Sequence, residues 1–322
     1  MSFKPIILVA GEPNSIFFEI LFKIFRKKKI KSPLVLIASH KILSLQMKKL
    51  NFKKKVKILN FEKITHYKLN NSSINLINVD YNQKKAFEKI SNKSNNYIKR
   101  CFEIAIVLLK SNFSNKLING PISKKNFLKK KFLGITEYLA KKFNKKKIAM
   151  LIYNNELSVS PVTTHLPLKK VSRAIDEKLI YEKVKLISDF YKTYIGLEPK
   201  IAITGLNPHC ESTGKFNEDE KIIKPTIKNL KKRKFKVYGP FAADTIFLRK
   251  NRKKFNVILG MYHDQVLTPI KTLYEYDAIN ITLGLPFLRV SPDHGPNETM
   301  LGKNLSSSLS LYKAISFLEK TK

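Results

Sequence analysis

Nine short apolar runs rich in β-branched residues recur along the chain, with longer amphipathic stretches between them. They are PIILVA (5–10), PLVLIAS (33–39), KVKILNF (55–61), KLING (116–120), KIAMLIY (147–153), ELSVSPVTT (156–164), KIAITG (200–205), NVILGMY (256–262) and AINITLG (278–284). Strands buried on both faces read as continuous apolar runs, and parallel neighbours need a crossover helix to join them, so the alternation points to an α/β fold with a mainly parallel sheet. Residues 16–29 place Ile16, Phe17, Ile20, Leu21 and Ile24 at three- and four-residue spacings, giving a helix with one stripe against the sheet. Longer helices are expected over 84–110 and 176–194, and a closing one over 306–320. The pair Asn154-Asn155 between two apolar runs predicts a hairpin, hence one antiparallel element. A chain of 322 residues exceeds what a single core usually supports, so two lobes with a cleft are expected. The expected division is a discontinuous first lobe of 1–125 with 290–322, and a second lobe of 126–289.

Lys and Arg number 62 against 24 Asp and Glu, a formal net charge of +38. A nucleic-acid or membrane-surface protein concentrates such charge in patches. Here 7 arginines stand against 55 lysines, spread through every segment. Arg is the residue suited to bidentate phosphate and base-edge contacts, so this composition argues against a specific nucleic-acid partner. The lysine runs at 27–29, 129–131 and 145–147 read as solvated helix ends. The opening MSFKPIILVAGEP carries an apolar run too short for a secretory core or a membrane span, and Cys101 and Cys210 form no Cys-x-x-Cys pair. A reducing, cytoplasmic setting without membrane contact is expected.

Chemistry concentrates at strand ends. Of six histidines, His165, His209 and His263 each stand at the C-terminal end of an apolar run, in SPVTTH, AITGLNPH and ILGMYH. Ligands of open α/β sheets bind beyond the carboxyl ends of strands, and three imidazoles there can hold a divalent ion while leaving a position open for substrate. Taken singly, each histidine is better explained as a loop or capping residue, and it is the joint pattern that favours a metal. Asp264 follows His263 directly and could orient it or act as a base. Asp244, in GPFAADTIF (239–247), opens a helix, where it is either an N-cap or a functional carboxylate. Lys271, Asn280 and Arg289 precede or flank NITLGLPFLRVSPDHG (280–295), and a lysine and an arginine there could hold a phosphate and a carboxylate. None of the 11 glycines builds a Gly-x-Gly-x-x-Gly turn or a P-loop, and no Gly-x-Ser-x-Gly elbow occurs.

The strings LNPH (206–209), GPFAADTIF, MYHDQ (261–265), NITLGLPFLRVSPDHG, THLPL (164–168) and GITEYLA (134–140) together resemble the 4-hydroxythreonine-4-phosphate dehydrogenase family of vitamin B6 synthesis. Their order and spacing match from GEP (11–13) to the last helix. The resemblance implies a three-layer α/β/α fold like that of the isocitrate and isopropylmalate dehydrogenases, a homodimer with shared active sites, and NAD, or alternatively NADP, bound without the Rossmann fingerprint. It implies a metal held by His165, His209 and His263, zinc first, with cobalt or magnesium as alternatives. It implies substrate contacts at Thr136, Lys271, Asn280 and Arg289, and leaves Asp244, Asp264 and Lys271 as candidates for proton handling. The implied reaction oxidises 4-phosphohydroxy-L-threonine to a β-keto acid that loses carbon dioxide to give 3-amino-2-oxopropyl phosphate.

Three departures accompany the resemblance. Ile135 stands where the family has a histidine before Thr136, Asn14-Ser15 and Phe17-Phe18 replace a glycine-bearing turn after GEP, and the stretch 210–220 keeps only Gly214 of a glycine-rich loop. Ile135 motivates an alternative, a related dehydrogenase of another four-carbon phosphorylated hydroxy acid such as a threonate or erythronate phosphate. A metal-dependent hydrolase and a non-catalytic nucleic-acid-associated protein are the competing classes.

Overall fold

The computed structural model describes residues 4–123, 127, 134–212, 217–292 and 295–321. The lysine run 129–131, Gly214, and Asp293-His294 of the long family string lie outside the described residues. The chain divides into two compact units, Met1–Leu139 with Pro286–Lys322, and Ala140–Leu285.

The first unit is a parallel sheet of β1 (Ile6–Val9), β2 (Leu34–Ala38), β3 (Val56–Ile58), β4 (Ile74–Asn78), β5 (Lys116–Asn119) and β12 (Leu288–Pro292), in the order β3-β4-β2-β1-β5-β12. All four residues of β1 are fully buried, which requires cover on both faces. Helices α1 (Phe17–Lys27), α2 (His40–Lys49), α3 (Asn95–Lys110) and, from the far end of the chain, Leu309–Lys320 surround it. Where GEP is followed by Asn14 to Phe18, the bulky residues are absorbed by the core: Ile16, Phe17 and Phe18 are buried.

The helix expected over 84–110 begins only at Asn95. Residues 84–91 form neither helix nor strand, 84–87 being a bend, because tertiary partners take backbone polar groups there. Asn14 and Gln83 exchange amide hydrogen bonds (3.2 and 3.0 Å), Asn14 Oδ1 also accepts from Glu88 N–H at 2.8 Å, and Gln46 Nε2 donates to the Ala86 carbonyl at 3.0 Å. A side chain that supplies a backbone group's partner removes the reason for that group to join a helix.

Lys116 is 3 % exposed, and its Nζ donates to the carbonyls of Leu318 and Thr321 at 2.6 Å each. Those carbonyls are among the ones a helix end leaves unpaired. Lys116→Met keeps the aliphatic stem and takes this donor from both carbonyls, leaving that of Leu318 with the Thr321 hydroxyl at 3.1 Å, so unfolding free energy should fall by about 1–3 kcal/mol in a urea titration; an unchanged midpoint would refute this role.

The second unit carries β6 (Ala149–Tyr153), β7 (Ser158–Pro161), β8 (Ile201–Thr204), β9 (Val237–Phe241), β10 (Val257–Gly260) and β11 (Ile279–Leu283), in the order β11-β6-β7-β10-β8-β9. Strand β6 is antiparallel to both neighbours, and the Asn154-Asn155 hairpin joins it to β7. Strands β7, β10, β8 and β9 are parallel. One face packs on the helix His263–Tyr274, whose Val266 and Ile270 meet Ile152, Val159, Ala202 and Ile258. Glu177–Phe190 packs against β6 and β11, and Lys224–Lys232 against β9. Among the described residues, no helix is long and apolar enough to cross a membrane.

Candidate active site

The order β7-β10-β8 decides where the histidines go. His165 follows β7, His263 follows β10 and His209 follows β8, so three neighbouring parallel strands each deliver one imidazole at their carboxyl ends. Neighbouring strands lie about 4.8 Å apart, which sets the scale of the cluster. The His165 and His263 rings stand 5.8 Å apart, centroid to centroid, with their planes 37° from parallel. Two imidazoles bound to one ion at about 2.0–2.1 Å place their centroids roughly 5–6 Å apart, so this pair fits a divalent metal. His209 is exposed on the adjacent turn, and no cluster of three or more His, Cys, Asp or Glu close enough to hold an ion is formed among the described residues. The fit therefore extends to two of the three expected ligands, with the third on the neighbouring strand end.

Asp264 Oδ1 lies 3.0 Å from His263 Nδ1. A carboxylate accepting the Nδ1 proton leaves Nε2 free to face an ion, the usual arrangement of a metal-binding histidine. Asp244 stands in the short helix Ala243–Ile246 beyond the end of β9, so it shares the histidine edge; the N-cap there is Ala242, and Asp244 is not the cap. Burial pushes the Cys210 thiol above its ordinary range, and Asp219 and Asp244 add to the effect, which puts Asp244 within electrostatic reach of the residue after His209.

The turn carrying His209 is strained. His209 and Cys210 both have left-handed backbone, with φ of 56° and 62°. Non-glycine residues in sparsely populated backbone regions cost on the order of 1–3 kcal/mol each and persist where the surroundings enforce them. The enforcing group is Asp219, which is fully buried and accepts from Leu206 N–H (2.9 Å), Asn207 N–H (3.1 Å) and Asn207 Nδ2 (2.9 Å).

Lys271 and Asn280 do not reach that edge. Lys271 lies eight residues along the helix that His263 begins, a backbone separation of about 12 Å. Asn280 pairs with Ile152, which pairs with Val159, so it stands in a row near the start of the parallel strands, on the face covered by that helix. Its Oδ1 is buried without a hydrogen-bond partner among the described residues. A cavity of about 520 Å³ lined by Glu156, Leu157, Arg249, Arg252, Lys253 and Tyr274 opens at the amino-terminal edge of the same strands and contains none of the candidate residues.

Thr136 and Arg289 belong to the first unit. Arg289, on β12, is 4 % exposed; its Nε donates to Asn119 Oδ1 at 2.8 Å and its Nη1 to Thr136 Oγ1 at 3.3 Å. Burial pulls its guanidinium down to about 10, partly offset by Glu137. A group with that value is still charged at neutral pH. Ile135 is 6 % exposed and belongs to the core. Asn119 and Asp219 were not singled out by sequence reading: Asn119 lies in the strand run KLING and Asp219 in the stretch 210–220, and neither residue type marks a role there.

The family model described as pyridoxal phosphate biosynthetic protein PdxA matches residues 29–318. The chain belongs to the PdxA family. It is 33% identical to the 4-hydroxythreonine-4-phosphate dehydrogenase of Aquifex aeolicus over 98% of each chain. It is 35% identical to the D-threonate 4-phosphate dehydrogenase of Pectobacterium atrosepticum, over 61% of this chain and 61% of that one. Several curated alignments, that one included, span less than two thirds of the relative's length. The crystal structure of 4-hydroxythreonine-4-phosphate dehydrogenase from Klebsiella pneumoniae superposes with a TM-score of 0.83 at 25% identity, covering 98% of both chains. Membership of the PdxA family makes this chain an oxidoreductase with a mixed α/β fold.

Proposed function

We propose that this PdxA-family chain oxidises 4-phosphohydroxy-L-threonine with NAD, in pyridoxal phosphate biosynthesis, at a divalent metal held by His165, His209 and His263. The observation that supports the metal most directly is the delivery of three imidazoles by three adjacent strand ends, two of them at a ligand-pair spacing. When bound, the ion polarises the substrate hydroxyl and steadies negative charge on its oxygen. Asp264, accepting from His263 Nδ1–H, would keep that proton on Nδ1 and leave Nε2 available to an ion. Asp244, on the same edge, and Lys271 are assigned to proton handling. Arg289 and Thr136 bind an anionic group of the substrate, with Asn119 fixing the guanidinium plane through Nε.

Oxidation moves the hydride of the alcohol carbon to the nicotinamide and the hydroxyl proton to a base. The β-keto acid then breaks its bond to the carboxylate, releases carbon dioxide and takes up a proton, giving 3-amino-2-oxopropyl phosphate. The nicotinamide cofactor comes with the family alone. The β1–α1 turn does not offer it a pyrophosphate cradle, because Glu12 there is buried and takes its hydrogen bonds from Asn14 and Ser94 within the protein.

A second reading, oxidation of a threonate or erythronate phosphate, is favoured by Ile135, whose side chain offers no donor beside Thr136. NAD reduction by purified protein with each substrate and added zinc or cobalt separates the two; turnover of the sugar-acid phosphate alone would reject the first.

The placement of Lys271 and Asn280 away from the histidine edge supports a homodimer in which the second copy completes each site. Most symmetric dimers repeat one patch on both subunits. Mixing inactive His263→Ala and Lys271→Ala proteins under exchange conditions should then restore about a quarter of wild-type activity, since half the dimers are mixed and each holds one intact site. Absence of any recovery, with exchange verified, would place both residues in the same copy's site.

A further inference from the structure

Gln265 has no part in the assignments above, yet every polar atom of its side chain is engaged at the histidine edge. It lies in the first turn of the helix His263–Tyr274, two residues after His263. Its Oε1 accepts from Met261 N–H at 2.7 Å and from Thr204 Oγ1 at 2.8 Å, and its Nε2 donates to the Gly205 carbonyl at 2.8 Å. Met261 directly follows β10, while Thr204 ends β8 and Gly205 follows it. One amide thus joins the two strand ends that lead to His263 and to His209.

Both ends are shaped to admit this contact. A Cβ on Gly260 would stand 3.0 Å from Gln265 Oε1 and 2.4 Å from Val266 Cγ1, and one on Gly205 would stand 2.6 Å from Asp219 Oδ1. Residues 204–207 are therefore held from one side by Gln265 and from the other by Asp219, and the left-handed pair His209-Cys210 follows at once. The amide is suited to this task because it both accepts and donates. A glutamate would keep the two acceptor contacts and lose the donor to Gly205; a leucine would lose all three.

We infer that Gln265 is a positioning residue that sets the spacing between His263 and His209, and through it the geometry of the divalent-metal site. The inference rests on the metal reading of the histidines. Groups that orient metal ligands typically change metal affinity by about 10–100-fold when removed.

The test is a cobalt(II) titration of wild type, Gln265→Leu, Gln265→Glu and Thr204→Val, followed by the visible absorption of the bound ion, with kcat and KM measured on the same samples. Gln265→Leu should weaken cobalt binding by about 10–100-fold, shift the absorption bands and lower kcat more than it raises KM. Gln265→Glu should move the same readouts in the same direction. Thr204→Val, which leaves the Met261 and Gly205 bonds in place, should change affinity by less than about tenfold. If Gln265→Leu fails to fold, Gln265→Glu carries the test, since it keeps the shape and two of the three bonds. Wild-type affinity and an unchanged spectrum in the folded Gln265 variants would overturn the inference while the metal reading stands. A wild-type chain that takes up no cobalt would overturn the metal reading and the inference with it.

Discussion

His263→Ala is expected to lower kcat/KM by on the order of 10³-fold and to abolish tight uptake of zinc or cobalt, with little change in thermal stability. A metal acting as a Lewis acid supplies several kcal/mol of stabilisation to a developing oxyanion, and each 1.36 kcal/mol is about a factor of ten in rate. The fold should survive because the His263 side chain is 32% exposed and its hydrogen bond to Asp264 joins it to a side chain that is 80% exposed. Asp264→Asn should be milder, about 10–100-fold, because it removes the group that orients the ligand and leaves the ligand in place. Metal content by elemental analysis, beside kinetics at saturating zinc, reads both variants. An alanine variant that retains stoichiometric metal and near-normal turnover would remove His263 from the site.

Arg289→Met should raise KM for a phosphorylated substrate by about 10²-fold or more while changing kcat less. A guanidinium 4 % exposed carries a large desolvation penalty, and its hydrogen bonds to Asn119 and Thr136 hold it in one orientation. An anionic ligand that meets this preoriented charge gains a charge-assisted contact without the cost of ordering a long side chain. Arg289→Lys should recover only part of the loss, because an ammonium keeps the charge but not the planar fork. The stability consequence carries a definite sign. The folded-state value of about 10 lies below the ordinary guanidinium range, so the native state disfavours the charged form, and the resulting penalty is fully present below pH 10. It would fade only as pH rises above about 10, and stability between pH 6 and 9 should be insensitive to this group. Equal KM values for wild type and Arg289→Met would show that the substrate's anion is bound elsewhere.

The sequence carried the chemistry further than the architecture that assembles it. The alternation of apolar and amphipathic segments was enough for the α/β class, because burial on both faces imposes continuous apolar runs on short strands. It missed β4, whose Asn75 and Asn78 interrupt the apolar pattern, β9, which contains Gly239-Pro240, and β12, which carries Arg289 and ends on a proline. In β4 and β12, polar residues meet tertiary partners that no local window contains: Asn75 donates to the carbonyl of Leu34, and Arg289 to Asn119. The helix read over 84–94 failed for the same reason, since Asn14 and Gln46 satisfy that backbone from a distance.

By itself the sequence determined that His165, His209 and His263 would each stand at a strand end, because a run of apolar residues and the turn after it are local facts. Only the tertiary structure decided that β10 lies between β7 and β8 and so makes the three ends neighbours, since strand order depends on crossovers spanning dozens of residues. The same nonlocal packing selected Asn119, Asp219 and Gln265, whose amide and carboxylate groups acquire a role only from the donors and acceptors that the fold brings to them.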